Sequence, residues 1–277
     1  MREAILHGSS RFGVFQTRLG IAKATLSARL GQLTTGGLLE RVRVGDSQPE
    51  YWLTESGADF FDCLMTAMRW GDRWGPYESS ESIVHHACGQ PFSAQLRCHH
   101  CQRPIVAVDV SVEAPPNRVG VGVVPGRRQR APGAALLERA SPDGLGYTLS
   151  VLGDWWSGMV IKESFYGVRR FEEFTSNLGI ATNILSSRLE QLVGYGVLER
   201  RLYSDRPPRS EYRLTDKGLD LYDVPLSIIG WGDRWKTPIE GRIPFRHKPC
   251  DSPLVSDLCC ASCGRPTSRR DVVVTFG

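Results

Sequence analysis

The pattern of apolar and polar residues in the second half of the chain predicts two helices in close succession. In "FEEFTSNLG", Phe171, Phe174 and Leu178 recur at the i, i+3, i+7 spacing of one helix face, and Gly179 ends the segment. The following "ATNILSSRLEQLVGYG" predicts a second helix that begins near residues 181–182. Its leucines form one stripe and its small or polar residues another: Leu185, Leu189 and Leu192 against Asn183, Ser186, Ser187 and Glu190.

A hairpin and a closing helix are predicted directly after these two helices. Two alternating runs flank a tip rich in proline and arginine in "GVLERRLYSDRPPRSEYRLT", as in a β-hairpin. The segment "DKGLDLYDVPLSIIGWGDRW" predicts a helix that Pro225 bends or interrupts. A short helix, a tight turn, a second helix with a polar outer face and a hairpin wing together predict a winged helix-turn-helix.

The same unit occurs twice in the chain. "LGIAKATLSARLGQLTTGGLLERV" (residues 19–42) aligns without a gap with "LGIATNILSSRLEQLVGYGVLERR" (residues 178–201). "EYWLTESG" (residues 50–57) pairs with "EYRLTDKG" (residues 211–218), and "WGDRW" occurs at 70–74 and at 231–235. Met1 aligns with Val160, so the first copy has no counterpart of "LGDWWSGM".

A cluster of cysteine and histidine follows each copy. The stretch "HHACGQPFSAQLRCHHC" (residues 85–101) shares the pattern H-x2-C-x9-C-x2-C with the second copy, whereas His86, His99, His100 and Cys259 fall outside it. Two close pairs of nitrogen and sulfur donors suit a tetrahedral Zn²⁺. We therefore expect two structural zinc sites of the Cys3His type, each made within one copy: His85, Cys88, Cys98 and Cys101, and His247, Cys250, Cys260 and Cys263.

Free thiols, a disulfide formed on oxidation and a redox C-x2-C remain alternative interpretations of this cluster. Cys63 lies in the helical stretch "ADFFDCLMTAMRW" and is interpreted as an ordinary core thiol.

The expected fold is mainly α with small β, in tandem winged helix-turn-helix units that are each followed by a small zinc-ribbon-like β segment. A stretch rich in Pro, Gly and Arg separates the copies and predicts a linker. The resulting division is a first unit with an incomplete N-terminal helix at 1–76, a ribbon segment at 77–113, the linker at 114–144, a second unit at 145–237 and a second ribbon segment at 238–277.

Composition and charge narrow the class of protein. The chain has 277 residues, 41% of them hydrophobic, and a net charge of +4, which permits nucleic-acid binding without requiring it. Neither a secretion signal nor an apolar run of the ~20 residues needed to span a bilayer is present, so we expect a cytoplasmic protein without membrane contact. Without a nucleophile–base pair, phosphate loop or paired-carboxylate motif, we do not expect an enzyme.

The second copy resembles the HxlR family of bacterial winged helix-turn-helix transcription regulators. The resemblance covers about residues 151–235 and depends on "LGDWW", "RRFEEF", "LSSRL", "PPRSEYRLT" and the "KG" turn, and it extends with losses over residues 1–74. It implies transcription regulation through double-stranded DNA. Such proteins usually carry one unit and pair as homodimers, so a fused tandem with cysteine ribbons departs from the common pattern.

The resemblance also implies which residues contact DNA. The N-terminal end of the second helix would enter the major groove, where Asn183 can pair with an adenine edge and Arg188 can bind a phosphate. Two wing arginines would reach the backbone or the minor groove. The implied set is Lys23, Ser27 and Arg29 in the first copy, and Thr182, Asn183, Ser186, Ser187, Arg188, Arg206 and Arg209 in the second.

Two questions stay open at this point. The two units pair either with each other as an intramolecular pseudo-dimer, with the "WGDRW" helices near the contact, or with a second chain as a homodimer. Alternative functions are a protein-interaction adaptor, and a metal or thiol-redox sensor that controls DNA binding.

Overall fold

The computed structural model describes residues 1–8, 10–43, 48–77, 81–112, 143–205 and 208–276. Residues 114–142 of the expected linker lie outside this part, and so does Arg206. The first unit consists, in chain order, of α1 (Arg2–His7), α2 (Phe12–Leu19), α3 (Lys23–Thr35), β1 (Leu39–Val42), β2 (Glu50–Leu53), α4 (Glu55–Asp59) and α5 (Phe61–Trp74).

The second unit repeats this order and has one further helix at its start. It consists of α6 (Gly144–Leu152), α7 (Trp155–Phe165), α8 (Phe171–Leu178), α9 (Thr182–Gly194), β6 (Leu198–Asp205), β7 (Pro208–Leu214), α10 (Asp216–Asp220) and α11 (Asp223–Trp235). The expectation of a mainly helical fold with small strands is confirmed. Among the described helices, none combines the length and apolar character needed to cross a bilayer.

Each unit buries the leucine stripe of its second helix. Leu26 and Leu30 of α3 are buried with Phe15 of α2 in the first unit, and Leu185 and Leu189 of α9 are buried in the second. The wings are antiparallel pairs: β1 with β2, and β6 with β7. The stripe fixes which face of α3 and α9 is left for a partner.

The two units pack against each other around an approximate twofold axis. Thr66 of α5 and Ser227 of α11 occupy equivalent positions, and their hydroxyl oxygens lie 2.9 Å apart in a buried hydrogen bond. Because each of these residues contacts its own counterpart, the axis passes between them. This hydrogen bond is one of several that join the two units across the axis.

The tryptophans of both "WGDRW" segments donate hydrogen bonds across this axis. Trp70 Nε1 donates to the Lys217 carbonyl at 3.0 Å, and Trp231 Nε1 donates to the carbonyl of the equivalent Ser56 at 2.8 Å. The second tryptophan of each segment donates to an aspartate of the other unit, both at 2.7 Å: Trp74 to Asp220 and Trp235 to Asp59. The indoles therefore join the units instead of only filling the core of their own unit.

The ribbon strands also pair between the copies. The first copy contributes β3 (Glu81–His85), β4 (Ala94–Cys98) and β5 (Val110–Val112), and the second contributes β8 (Phe245–His247), β9 (Ser252–Pro253), β10 (Ser256–Cys260) and β11 (Val272–Phe276). β3 pairs with β11, β4 with β10 and β5 with β8, all antiparallel. Strands of 77–113 and 238–277 thus form shared sheets, and the ribbon is common to both units.

Candidate nucleic-acid interface and metal centres

The turn between the two helices of each motif depends on a glycine with a left-handed backbone. Gly20 ends α2 with φ 60°, and Gly179 ends α8 with φ 58°. Residues with a Cβ rarely adopt this conformation, so glycine sets the angle at which the next helix leaves. The buried leucine stripe then leaves the opposite face of α3 and α9 at the surface.

The residues expected to read DNA lie on these outer faces. Lys23, Ser27 and Arg29 of α3 are exposed. Thr182, Asn183 and Ser187 at the N-terminal end of α9 are also exposed, as is Arg209 of the wing. Ser186 is half-buried and donates to Glu190 at 3.4 Å. Arg206 lies outside the described residues, so its role stays a prediction.

The two arginines at equivalent helix positions have different surroundings. Arg188 forms an ion pair with Asp154, the residue that caps α7, and its side chain is 28% exposed. Arg29 is exposed and its guanidinium donates to Gln32 at 3.2 Å. The sequence did not indicate the contact with Asp154, because the aspartate is distant along the chain and precedes a different helix.

The cysteines and histidines form two groups, and the expected grouping within each copy is wrong. One group contains His85, Cys88, Cys260 and Cys263; the other contains Cys98, Cys101, His247 and Cys250. Each H-x2-C of one copy meets the C-x2-C of the other copy. The pairing of β4 with β10 brings the two C-x2-C turns into opposite halves of the ribbon, which the spacing along the sequence does not reveal.

Distances within both groups fit a tetrahedral ion. In the first, His85 Nδ1 lies 3.3 Å from Cys88 Sγ and 3.4 Å from Cys263 Sγ. In the second, the equivalent His247 Nδ1 lies 3.3 Å from Cys250 Sγ and 3.4 Å from Cys101 Sγ. Zinc–ligand bonds of about 2.0 to 2.3 Å at tetrahedral angles place nitrogen and sulfur about 3.5 Å apart. Each group can therefore hold a metal ion.

The imidazoles of the two groups differ in their outer hydrogen bond. Thr267 Oγ1 lies 3.3 Å from His85 Nε2, which fixes that ring. His247 Nε2 is buried without a hydrogen-bond partner among the described residues. Ile105 stands at the position equivalent to Thr267, and its side chain has no polar atom. Hydrogen bonds of this kind orient metal ligands, and no motif in the sequence indicated Thr267.

Thiol chemistry differs between these groups and the helical core. Hydrogen bonding to the His247 imidazole lowers the pKa of Cys250 to about 6, which favours the thiolate that binds metals. Burial raises the pKa of Cys63 to about 12, in agreement with its interpretation as a core thiol. Of the histidines outside the pattern, His99 pairs with Asp257 at 2.9 Å.

Comparison with known proteins identifies the family. The HxlR-like helix-turn-helix family matches residues 2–79 and 151–240, which is more than half of the chain and includes both units. The chain belongs to this family. It is a helix-turn-helix transcription regulator.

Several relatives of this HxlR-like protein carry similar names. An uncharacterized HTH-type transcriptional regulator of Mycobacterium tuberculosis is 38% identical over 138 residues, covering 50% of this chain and 87% of the relative. The HTH-type transcriptional regulator YodB of Bacillus subtilis is 32% identical over 90 residues, covering 32% and 80%. The solved structure of PA1607, described as a transcription factor, is 32% identical, with a TM-score of 0.42 over 48% of this chain and 94% of that one. The first two relatives are named as transcriptional regulators, a class that is generally not enzymatic.

Proposed function

We propose that this HxlR-like chain is a sequence-specific DNA-binding regulator in which one polypeptide supplies both reading helices, α3 and α9. The observation that carries the proposal is the pair of exposed helix faces on units that the interface holds around one axis. The two antiparallel backbones of duplex DNA are related by local twofold axes. Two reading helices that are related by a twofold axis can therefore enter successive major grooves. The internal pseudo-dimer takes the place of a homodimer.

The exposed residues assign a role to each helix end. In the second unit, the side-chain amide of Asn183 can donate one hydrogen bond to an adenine edge and accept another from it. Thr182 and Ser187 can bind bases or phosphates. In the first unit, Lys23 and Arg29 carry charges suited to phosphates, and Ser27 has the same hydroxyl as its counterpart Ser186. Arg209, on the wing, is placed for the backbone or the minor groove.

We further propose that both ligand groups hold structural Zn²⁺. Three thiols and one imidazole form a closed set of four ligands, which leaves no position for substrate. Two ligands of each group come from each copy, so each ion would link the first unit to the second. Bound zinc would supply stability to a ribbon whose strands are short.

A gel-shift titration with salt tests the DNA-binding proposal. If several phosphates are held, affinity for the selected DNA falls steeply as salt rises. Asn183→Ala should lower affinity for the selected site about 10-fold while leaving non-specific binding unchanged. The control is Thr35→Ala, an exposed substitution at the far end of α3. DNA binding that is absent or insensitive to salt would favour the adaptor function instead.

Chelation separates structural zinc from metal sensing. Structural ions require that the ribbon unfolds when a chelator removes them. A chain that stays folded without metal but changes its DNA affinity would contradict the structural role and favour the sensor.

A further inference from the structure

We infer that the DNA read by this chain is not a palindrome, but two different half-sites in a fixed order. This inference rests on the proposed DNA-binding function and specifies its substrate. It follows from a frame that is symmetric and two reading surfaces that are not.

The frame presents both helices in equivalent positions. The indole hydrogen bonds recur in pairs across the axis, Trp70 with Trp231 and Trp74 with Trp235. Arg73 and Arg234 repeat the relation, since each pairs with the aspartate that also accepts from the neighbouring tryptophan. Equivalent positions in the two helices therefore face equivalent positions in two inverted half-sites.

The outer faces of the two helices differ at the positions that would meet base edges. Asn183 and Ser187 offer polar groups in α9, whereas Ala24 and Ala28 offer only methyl groups in α3. An asparagine can pair with adenine, while a methyl group can only contact the methyl of thymine. From the N-terminal ends of the helices through Gly31 and Glu190, the equivalent pairs that differ with both members exposed are Lys23 and Thr182, Ala24 and Asn183, Ala28 and Ser187, and Gly31 and Glu190.

Charges for the DNA backbone are also divided differently. Arg29 is exposed on α3, whereas Arg188 is paired with Asp154. The wing sequences have the opposite balance: residues 40–57 hold two arginines and four acids, and residues 199–218 hold six basic and four acidic groups. The first unit would bind phosphates through its helix and the second through its wing. The two half-sites would therefore differ in the backbone positions that are contacted as well as in their bases.

Selection from random-sequence duplexes with the full chain tests this inference. We expect an enriched site that contains two unlike half-sites, A and B, in inverted orientation. Duplexes that carry A–A or B–B should bind about 10-fold or more weaker than A–B, because several base contacts are lost in one half. An enriched palindrome, or equal binding of the three duplexes, overturns the inference while leaving the DNA-binding function intact. Failure to enrich any sequence overturns both.

A graft of the second reading face onto the first gives an independent test. The graft replaces Lys23, Ala24, Ala28 and Gly31 by the residues at the equivalent positions of α9. All four positions are exposed, and no atom lies within 4 Å of a Cβ built on Gly31, so the substitutions fit the fold. The variant should select a B–B palindrome in the same assay. Thr35→Gly, which copies Gly194 at the distal end of the helix, is the matched control and should select A–B. A graft that still selects A–B contradicts the inference. The grafted substitutions are Lys23→Thr, Ala24→Asn, Ala28→Ser and Gly31→Glu.

Discussion

The two units share the groups that act across the axis and differ in the groups that face outward. Both keep the two tryptophans and the aspartate that accepts from one of them, together with a histidine and three cysteines in the ribbon. Each of these groups completes its contacts with the other unit, so a change in one unit leaves an unpaired partner in the other. The outer faces of α3 and α9 have no such constraint within the described chain, and there the two units differ.

One further difference concerns how well each interface helix is covered. The helix α6 packs against α5, where Thr148 Oγ1 donates to the Ala67 carbonyl at 2.7 Å. A Cβ on Gly71 would lie 1.7 Å from the Gly144 carbonyl oxygen, so the two helices approach backbone to backbone. On α11, Ile228 occupies the position equivalent to Ala67 and is 44% exposed. The same tryptophan motif is therefore buried more deeply in the first unit.

The largest expected effect tests the exchange of metal ligands between the copies. Cys88→Ser with Cys260→Ser removes two ligands of one group and leaves the other complete, so one zinc per chain should resist a chelator. Cys88→Ser with Cys98→Ser removes one ligand from each group, so no zinc should resist it. Structural zinc supplies on the order of 10 kcal/mol of binding free energy, and metal content is measured by mass spectrometry. If instead the variant with Cys88→Ser and Cys98→Ser kept one zinc and the other variant kept none, the ligands would be grouped within each copy.

The ligand exchange marks where prediction from the sequence stops. The repeat identified the eight candidate ligands, because identical spacing in both copies excludes the other histidines. The partner of each pair depends on pairing between strands that are far apart in the sequence, and Cys98 and Cys250, for example, are separated by 152 positions. Local periodicity likewise predicted α8, α9 and the wing, but it indicated neither α6 nor the pairing of Arg188 with Asp154, which both depend on tertiary contacts.

Truncation of the equivalent tryptophans tests the difference in burial. Trp70 is fully buried and stacks on Tyr147, with ring centroids 5.8 Å apart, whereas Trp231 is half-buried. We expect Trp70→Ala to lower the free energy of unfolding by about 3–5 kcal/mol and Trp231→Ala by about 1–2 kcal/mol. Chemical denaturation measures both. Trp70→Phe and Trp231→Phe are the controls, because each removes the same hydrogen bond and keeps an aromatic ring at the site. Equal losses of stability in the two alanine variants would contradict unequal burial.

Two equivalent aspartates should respond differently to pH. Burial, with a contribution from Asp59, raises the pKa of Asp62 to about 7, although Arg234, 3.9 Å away, opposes it. Burial also raises the pKa of Asp223 to about 6, although the closer Arg69, at 3.5 Å, opposes it. Gly230 stands where the second unit would need the equivalent of Arg69. A carboxyl with a raised folded-state pKa destabilises the fold as pH rises from its unfolded pKa to its folded one.

Asp62→Asn removes this penalty. Its stability relative to the parent chain should increase by about 2 kcal/mol between pH 5 and pH 8. Asp223→Asn is the matched comparison and should gain less over this range, because the pKa of Asp223 is raised less and Arg69 loses one of its carboxylate partners. Thermal denaturation across this pH range measures both, and an Asp62→Asn difference that is constant with pH would contradict the raised pKa.

The outer hydrogen bond of the imidazoles should separate the affinities of the two metal groups. Thr267→Val removes the partner of His85 Nε2 and should weaken metal binding in that group about 10-fold. Ile105→Thr places a hydroxyl at the equivalent position beside His247 and should strengthen the other group. Competition with a chromophoric chelator resolves the two affinities, and unchanged affinity in both variants would show that the contact does not orient the ligand.

The smallest expected effect concerns the equivalent arginines of the reading helices. Arg29 is exposed on α3, so Arg29→Ala should weaken DNA binding about fivefold and make the dependence of log K on log salt shallower by about one. Arg188→Ala should change affinity less than twofold, because Asp154 already neutralises that guanidinium. Asp154→Ala would release Arg188 and should increase affinity, although it also removes the cap of α7. If Arg188→Ala weakens binding as much as Arg29→Ala, then DNA competes successfully for the arginine, and the two helices hold the backbone alike despite their different surroundings.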